Sequence, residues 1–325
     1  MEQAIVQRAG LAFRAVEAGG LRGMRPAAML RSMIALARGA VQAWRILREF
    51  RPDVVLATGG YACAPVVAAA WLQRCPVFIY LPDIEPGLAV KVLSHLARRV
   101  GVSFADTLAC FPTGKAVVTG YPVRSELYSR DKSTARARLS LLDDLPIVLV
   151  LGGSRGAHSI NAALSHDLGR WLTMAQVVHI AGQQDIDWLM QHRAELPADL
   201  QQRYHLHAYL HDEMVDALVA ADLAVARAGA ATMGEFTAVG VPSVLVPYPF
   251  AGQHQHVNAD FLVRHQAAVQ LKDEELATGA LTQTVLDLLE DAPRRRDMSS
   301  NARALASPNA ARNIVEQLAL LSGGA

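Results

Sequence analysis

The sequence predicts an α/β protein of two doubly wound domains, and three observations carry that prediction. The chain has 325 residues, more than one ordinary domain needs and suited to two. From Pro52 onward, aliphatic runs alternate with amphipathic segments, the pattern of a parallel sheet wrapped by helices. That alternation stops in a charged, small-residue stretch near residue 130 and then starts again.

In the first domain DVVLAT, PVFIYL, RRVGVSF and KAVVT read as strands. The stretch YSRDKSTARARLSLLDDLP holds no strand candidate and reads as a connection with a short helix. In the second domain IVLVLG, AQVVHIAG, YHLHAYL, LAVARAG and VPSVLVPY are five strand candidates separated by helical segments. Helical stretches then run from about Asp273 to the end, with Ser307-Pro308-Asn309 as a connection. The expected division is residues 1–125, residues 126–306, and a C-terminal helix over residues 307–325 that packs back on the first domain. The first domain departs from its type. It opens with a helix-like segment and reaches a strand only at Asp53, where such a domain ordinarily opens with a strand, a glycine turn and a helix.

Composition narrows the function classes. Apolar residues make up 52% and charged residues 19%, which excludes disordered and fibrous classes. The net charge of +1 argues against a nucleic-acid partner. The charge is uneven, because residues 1–51 hold nine arginines, no lysine and three acids, so an anionic surface should meet this end. Cys63, Cys75 and Cys110 stand singly, with neither disulfide nor zinc spacing, and a reducing cytoplasm suits them. No apolar run reaches the roughly 18 residues that span a bilayer.

Three glycine-bearing elements carry the chemistry. Gly152-Gly153-Ser154-Arg155-Gly156-Ala157 follows a strand and opens a helix, where backbone N–H groups can approach an anion. It is not a dinucleotide fingerprint, since its spacing is not GxGxxG and no acid ends the next strand. Thr58-Gly59-Gly60-Tyr61 holds the equivalent place in the first domain, and the two loops would face each other across a cleft if the strand ends point the same way. The third element runs from Arg227 through Ala230, Ala231 and Glu235 to His254, Gln255 and Asn258. A helix starting near Ala230 would aim N–H groups at a phosphate, and Glu235, one turn in, suits the paired hydroxyls of a ribose.

With these residues in view, the chain resembles the MurG family of bacterial peptidoglycan glycosyltransferases. The matching motifs are PDVVLATGGYACAPVVAAA, PGLAVKVLSHLARRVGVSF, VVTGYPVR, VLVLGGSRGAHSIN, ADLAVARAGAATMGE and HQHVNA, spread over nearly the whole chain. The resemblance implies a GT-B fold, two Rossmann-like domains facing across a cleft, with UDP-N-acetylglucosamine held chiefly by the second. It places Arg124, Ser154, Ala230, Ala231, Glu235, His254, Gln255 and Asn258 at the donor, with His254 standing where the family has glutamine. It also implies Gly59, Gly60 and Tyr61 as an acceptor loop.

Two family features have no match. The opening strand with its GGTGGH loop is absent, and Gly19-Gly20-Leu21-Arg22-Gly23 aligns with a later segment, so Met1 is expected to be an internal methionine with roughly forty residues preceding it. The family's HEQN segment is replaced by Tyr80-Leu81-Pro82-Asp83, which leaves Asp83 and Glu85 as candidate bases from the same loop.

Residues 29–51 place Arg31, Arg38 and Arg45 seven apart, beside apolar residues at helical spacing, a pattern shared by membrane-surface helices and ordinary packed ones. The resemblance implies that Ile34, Val41, Trp44 and Trp71 form a membrane patch. The enzyme would then lie peripherally on the cytoplasmic face of the cell membrane, against an anionic inner surface. It would transfer N-acetylglucosamine from UDP-N-acetylglucosamine to the 4-hydroxyl of the lipid I acceptor, with inversion and with no cofactor or metal. The alternatives are a UDP-sugar-binding homologue with impaired catalysis and a transferase for another lipid or glycan.

Overall fold

The computed structural model describes residues 2–19, 26–142, 144–153, 156–250 and 254–323. Backbone proximity divides the chain into two compact units, Met1–Thr119 with Arg312–Ala325, and Gly120–Ala311. Each is built on its own parallel sheet.

In the first unit the helices Glu2–Arg8 and Pro26–Phe50 precede the first strand of the described residues. Four strands follow, β1 (Val55–Ala57), β2 (Val77–Leu81), β3 (Arg99–Val102) and β4 (Ala116–Val118), paired in parallel in that same order. Side chains alternate between the two faces of a strand, and the sheet uses both. Val77, Ile79 and Val100 pack against Ala43 and Leu47 of Pro26–Phe50 and against Val67 and Ala70 of Ala64–Leu72. Phe78 and Tyr80 point the other way and receive Ile314 of the helix Ala310–Leu321. β2 is buried along its whole length, whereas β1, at one end of the order, leaves Leu56 45% exposed.

The second unit has six parallel strands: β5 (Ile147–Leu151), β6 (Gln176–Ile180), β7 (Tyr204–His207), β8 (Leu223–Ala226), β9 (Ser243–Leu245) and β10 (Ala268–Gln270). Their spatial order is β10-β9-β8-β5-β6-β7. The chain therefore winds outward from β5 through β7, returns to place β8 beside β5, and winds out the other way. The loops leaving β5 and β8 flank that switch point, where open α/β sheets bind ligands. The sheet has one strand more than the five read from the sequence: β10 is three residues at the edge. Behind β5, Ile160, Leu164, Leu168 and Trp171 of the helix His158–Met174 are fully buried, each worth about 2 kcal/mol by area. The Trp171 indole donates to Thr282 Oγ1 at 3.1 Å, which satisfies its one polar group.

Candidate functional site

The glycine loop after β5 needs its glycines for two separate reasons. Gly153 and Gly156 have φ near +80°, a region that costs residues with a Cβ. A Cβ on Gly156 would also run into the carbonyl oxygen of Ala181, so the loop lies directly on the segment that follows β6. The helix His158–Met174 then begins with no side-chain cap. After β8, Gly229 caps the helix Ala230–Val239, again without a side-chain bond to its first N–H groups. Leu151 and Ala226, the last residues of β5 and β8, are paired neighbours, so the two helix N-termini start from adjacent strands. Each carries about half a positive charge, and together they suit the two phosphates of a diphosphate. Ser154 lies outside the described residues, as do residues 20–23 of the glycine segment matched to the family.

Glu235 is half-buried one turn into the helix that starts at Ala230. Burial raises its carboxyl above the ordinary range, and the Arg124 charge acts against that rise. The structure thus brings together two residues more than a hundred positions apart. The contact runs through Gly234, where a Cβ would enter the Tyr121 ring, so the segment 121–124 crosses the helix at its smallest residue. Ala230 and Ala231 sit at the open end of the same helix, Ala231 exposed.

Arg227, to which the sequence pattern alone assigns no role, is the strut of this site. Its Nη1 donates to Asp273 Oδ1 at 2.6 Å and to the carbonyls of Val246 and Pro247 at 3.1 and 3.3 Å. Its Nη2 donates to Ser159 Oγ at 2.7 Å, and Ser159 in turn donates to Asp273 at 2.8 Å. The guanidinium also lies 5.4 Å from the centre of the Tyr248 ring. One fork-shaped cation therefore joins the exits of β8 and β9 to the first turn of His158–Met174. Asn258 works with it. Its side chain is wholly buried and donates to the Ala228 carbonyl at 3.1 Å, so it holds the loop, and any effect on the donor passes through that loop. Gln255 Oε1 accepts from the Tyr248 backbone N–H at 2.8 Å, next to half-buried His254 at the start of the helix His254–Arg264.

A buried polar chain fixes the β5 loop from behind. Asn161 Nδ2 donates to the Ala181 carbonyl at 2.9 Å and to Asp185 Oδ2 at 2.7 Å. Both partners only accept, so the amide orientation is forced and Asn161 Oδ1 must accept from His179 Nε2, 2.9 Å away. His179 Nδ1 then accepts from the Tyr204 hydroxyl at 2.8 Å. Burial drives the His179 pKa down to about 3. A free histidine in the unfolded chain titrates near 6.5, so below that pH the unfolded state binds a proton that the folded state refuses. Stability is expected to fall as pH drops from about 6.5 toward 3, by up to about 1.4 kcal/mol per pH unit from this residue. His205 and His207, lowered by burial as well, add in the same direction. Thermal unfolding between pH 7.5 and 5.5 checks this, and His179→Asn should flatten the slope.

In the first unit Gly59 and Gly60 both have positive φ, and a Cβ on Gly59 would come within 2.9 Å of Val90. The Cys63 thiol donates to both their carbonyls at 2.9 and 3.0 Å, and burial keeps it above the usual thiol range, so it stays a neutral donor. Tyr61 is 58% exposed. Asp83 and Glu85 follow β2, the neighbour of the strand that bears this loop, with Asp83 half-buried and Glu85 exposed.

The expected apolar patch is open at Ile34, Val41 and Trp71, 45%, 53% and 52% exposed, with Met33 and Leu72 extending it. Arg31, Arg38 and Arg45 are exposed on the same helix as Ile34 and Val41. Trp44 is only half-buried. It is packed against the core formed by Ala43 and Leu47, and its carbonyl accepts from Gln73 Nε2 at 2.9 Å. One helical step from Ala43, it stands on the border between the buried and the open face of the helix.

Comparisons with known proteins agree with this geometry. Residues 147–318 match the glycosyltransferase family 28 C-terminal domain, and residues 1–102 match the family's N-terminal domain. A relative from Roseiflexus sp. (strain RS-1), named UDP-N-acetylglucosamine–N-acetylmuramyl-(pentapeptide) pyrophosphoryl-undecaprenol N-acetylglucosamine transferase, is 43% identical over 97% of this chain and 80% of its own length. A protein of the same name from Listeria monocytogenes serovar 1/2a is 35% identical over 97% of this chain and 87% of its own. The crystal structure of MurG from Acinetobacter baumannii superposes with a TM-score of 0.76 at 27% identity, covering 98% of this chain and 88% of that one. A UDP-GlcNAc 2-epimerase from Neisseria meningitidis, with a TM-score of 0.66 at 15% identity, shares the fold.

Proposed function

The chain belongs to glycosyltransferase family 28, and on that premise we propose that it moves N-acetylglucosamine from UDP-N-acetylglucosamine to the 4-hydroxyl of lipid-linked N-acetylmuramyl-pentapeptide, turning lipid I into lipid II for the cell wall. The observation that carries the donor half is the pair of uncapped helix N-termini leaving β5 and β8, with Glu235 one turn behind the second. The acceptor half rests on the relatives' shared name.

The reaction follows from those groups. The acceptor hydroxyl attacks the anomeric carbon, the bond from that carbon to the diphosphate oxygen breaks with its electron pair, and UDP leaves with inverted stereochemistry at the sugar. Negative charge grows on the leaving diphosphate, and N–H groups fixed at Ala230, Ala231 and the β5 loop stabilise it without having to reorganise. Glu235 accepts from the ribose hydroxyls and Arg124 pairs with the diphosphate. The hydroxyl proton passes to a carboxylate within hydrogen-bond reach, and Asp83 and Glu85, beside the Gly59-Gly60-Tyr61 loop, are our candidates. The test is UDP release from UDP-N-acetylglucosamine that depends on a lipid I analogue. UDP should compete with the donor and ADP should not; UDP release that ignores the acceptor would overturn the reading.

The open patch of Ile34, Val41 and Trp71, with its arginine stripe, serves as the peripheral contact with an anionic inner membrane surface. Val41→Asp with Trp71→Asp is expected to lower co-sedimentation with phosphatidylglycerol vesicles about tenfold. Activity on a short-chain, soluble acceptor should stay within about twofold, because neither residue belongs to the donor loops.

A further inference from the structure

A cavity of about 710 Å³ lies away from the donor loops. It lies wholly within the unit Gly120–Ala311, at the opposite edge of the sheet. Its walls include Ala221 and Asp222, immediately before β8, and Gly240 and Pro242, just before β9. The donor loops leave the far ends of those parallel strands, roughly 10 Å or more away.

The charge in this cavity is one-sided. Arg130, Lys132, Arg295, Arg296 and Arg303 line it against the single carboxylate of Asp222. Two of these cations have acid partners: Lys132 bonds Asp222 at 2.5 Å, and Arg130 reaches the buried Asp216 at 3.4 Å. The other three lie on one face of the helix Ala292–Ala304, in the series 292, 295, 296, 299, 300 and 303 that follows the helical repeat. Ser299 and Ser300 fill the places between the arginines. Among the described residues no carboxylate lies within 4 Å of these three guanidinium groups. Arg295 bonds the Leu288 and Leu289 carbonyls through Nη1, and Arg303 bonds the Val239 carbonyl through Nε and Nη2, which holds both side chains over the cavity with donors to spare. Arg296 is exposed.

Helical rise sets the size of the ligand. Eight residues at 1.5 Å separate Arg295 from Arg303, so the row is roughly 12 Å long. A single phosphate cannot touch both ends; two or three linked phosphates, with the Ser300 hydroxyl donating between them, can, whereas the Ser299 hydroxyl donates to the Gly240 carbonyl at 2.6 Å and helps to fix the helix against the cavity wall. Guanidinium forks suit phosphate oxygens for the same reason that they suit carboxylates.

We propose that this face is a second anion site, separate from the donor loops, which takes a compound bearing two or more phosphate groups along Arg295, Arg296, Ser300 and Arg303. A soluble nucleotide and a diphosphate-bearing lipid headgroup both carry such phosphates, and the chemistry of recognition is the same. The site stands independently of the transferase assignment.

The test titrates the full chain with inorganic tripolyphosphate by calorimetry, and in parallel with vesicles containing cardiolipin. Arg296→Glu and Arg303→Gln are measured singly; the first changes an exposed side chain and preserves the fold even if the second does not. Tripolyphosphate affinity is expected to fall at least about tenfold in Arg296→Glu, and to weaken as salt is raised. The KM for UDP-N-acetylglucosamine should not change. Loss of vesicle binding along with tripolyphosphate binding would identify a lipid source, and loss of tripolyphosphate binding alone a soluble one. Equal tripolyphosphate affinity in wild type and both variants would overturn the site, as would a parallel rise in donor KM, which would place the phosphates at the donor loops.

Discussion

Replacing Glu235 with alanine is expected to raise the KM for UDP-N-acetylglucosamine about a hundredfold, because two hydrogen bonds from the ribose hydroxyls to a carboxylate contribute about 3 kcal/mol together. The same change should not lower the unfolding midpoint of the ligand-free protein. Burial raises the Glu235 carboxyl pKa, so its ionised form costs stability in the folded chain, and removing it removes that cost. Glu235→Gln separates the effects further: it keeps the packing against the segment 121–124 and donates where the ribose hydroxyls also donate. Its midpoint should equal or exceed that of the wild type while its donor KM stays raised. A site residue that weakens binding without weakening the fold is the mark of a functional charge held against its preference for water. An unchanged donor KM in both variants would remove Glu235 from the donor site. The pH dependence has a definite sign. Acidification should raise the donor KM through a group titrating above the ordinary glutamate range, and that limb should vanish in Glu235→Gln.

Arg227→Ala is expected to act on the fold and the donor at once. It strips Asp273, Ser159 and the carbonyls of Val246 and Pro247 of one shared donor. Because Arg227 is largely buried, those groups cannot all be recovered by water, and a loss of about 3 kcal/mol follows, or roughly 8 °C in the unfolding midpoint of a unit this size. The loops after β8 and β9 lose their common anchor, so donor KM should rise as well. Arg227→Lys keeps the charge on Asp273 but cannot fork to Ser159 and two carbonyls. It should restore much of the stability and less of the KM. Variants that unfold with the wild type would show the strut to be idle.

The parts of this protein written in local pattern are legible in the amino-acid sequence itself. Strand 147–151 is a continuous aliphatic run, buried in a parallel sheet up to its last residue, and strand 176–180 sets Val177, Val178 and Ile180 among the equally buried Gln176 and His179; their order follows from alternation with helices. The glycine loops are legible because positive φ and close backbone approach leave few other residue choices. Contact across sequence is not legible in this way. Arg227 meets Ser159 and Asp273 from 68 and 46 residues away, and no spacing rule links them. Asn258 belongs to a recognisable segment, but only burial shows that its amide is spent on Ala228. β10 escapes a pattern search because three residues, Ala-Val-Gln, at a sheet edge make no run. How far Trp44 is covered is not legible either, because helical periodicity locates a face and leaves its border open, and Trp44 is half-buried on that border.

Transfer of a labelled sugar decides whether this chain is a working glycosyltransferase. The chain would be incubated with UDP-[14C]N-acetylglucosamine and a lipid I analogue in vesicles containing phosphatidylglycerol, and the lipid fraction read for label and mass. The expected outcome is a lipid product heavier by one N-acetylglucosamine residue, one UDP released per product, and loss of both in Glu235→Ala at donor concentrations that saturate the wild type. UDP-sugar bound with ordinary affinity, yet no label in lipid, would refute the assignment and leave the protein a binder of the donor.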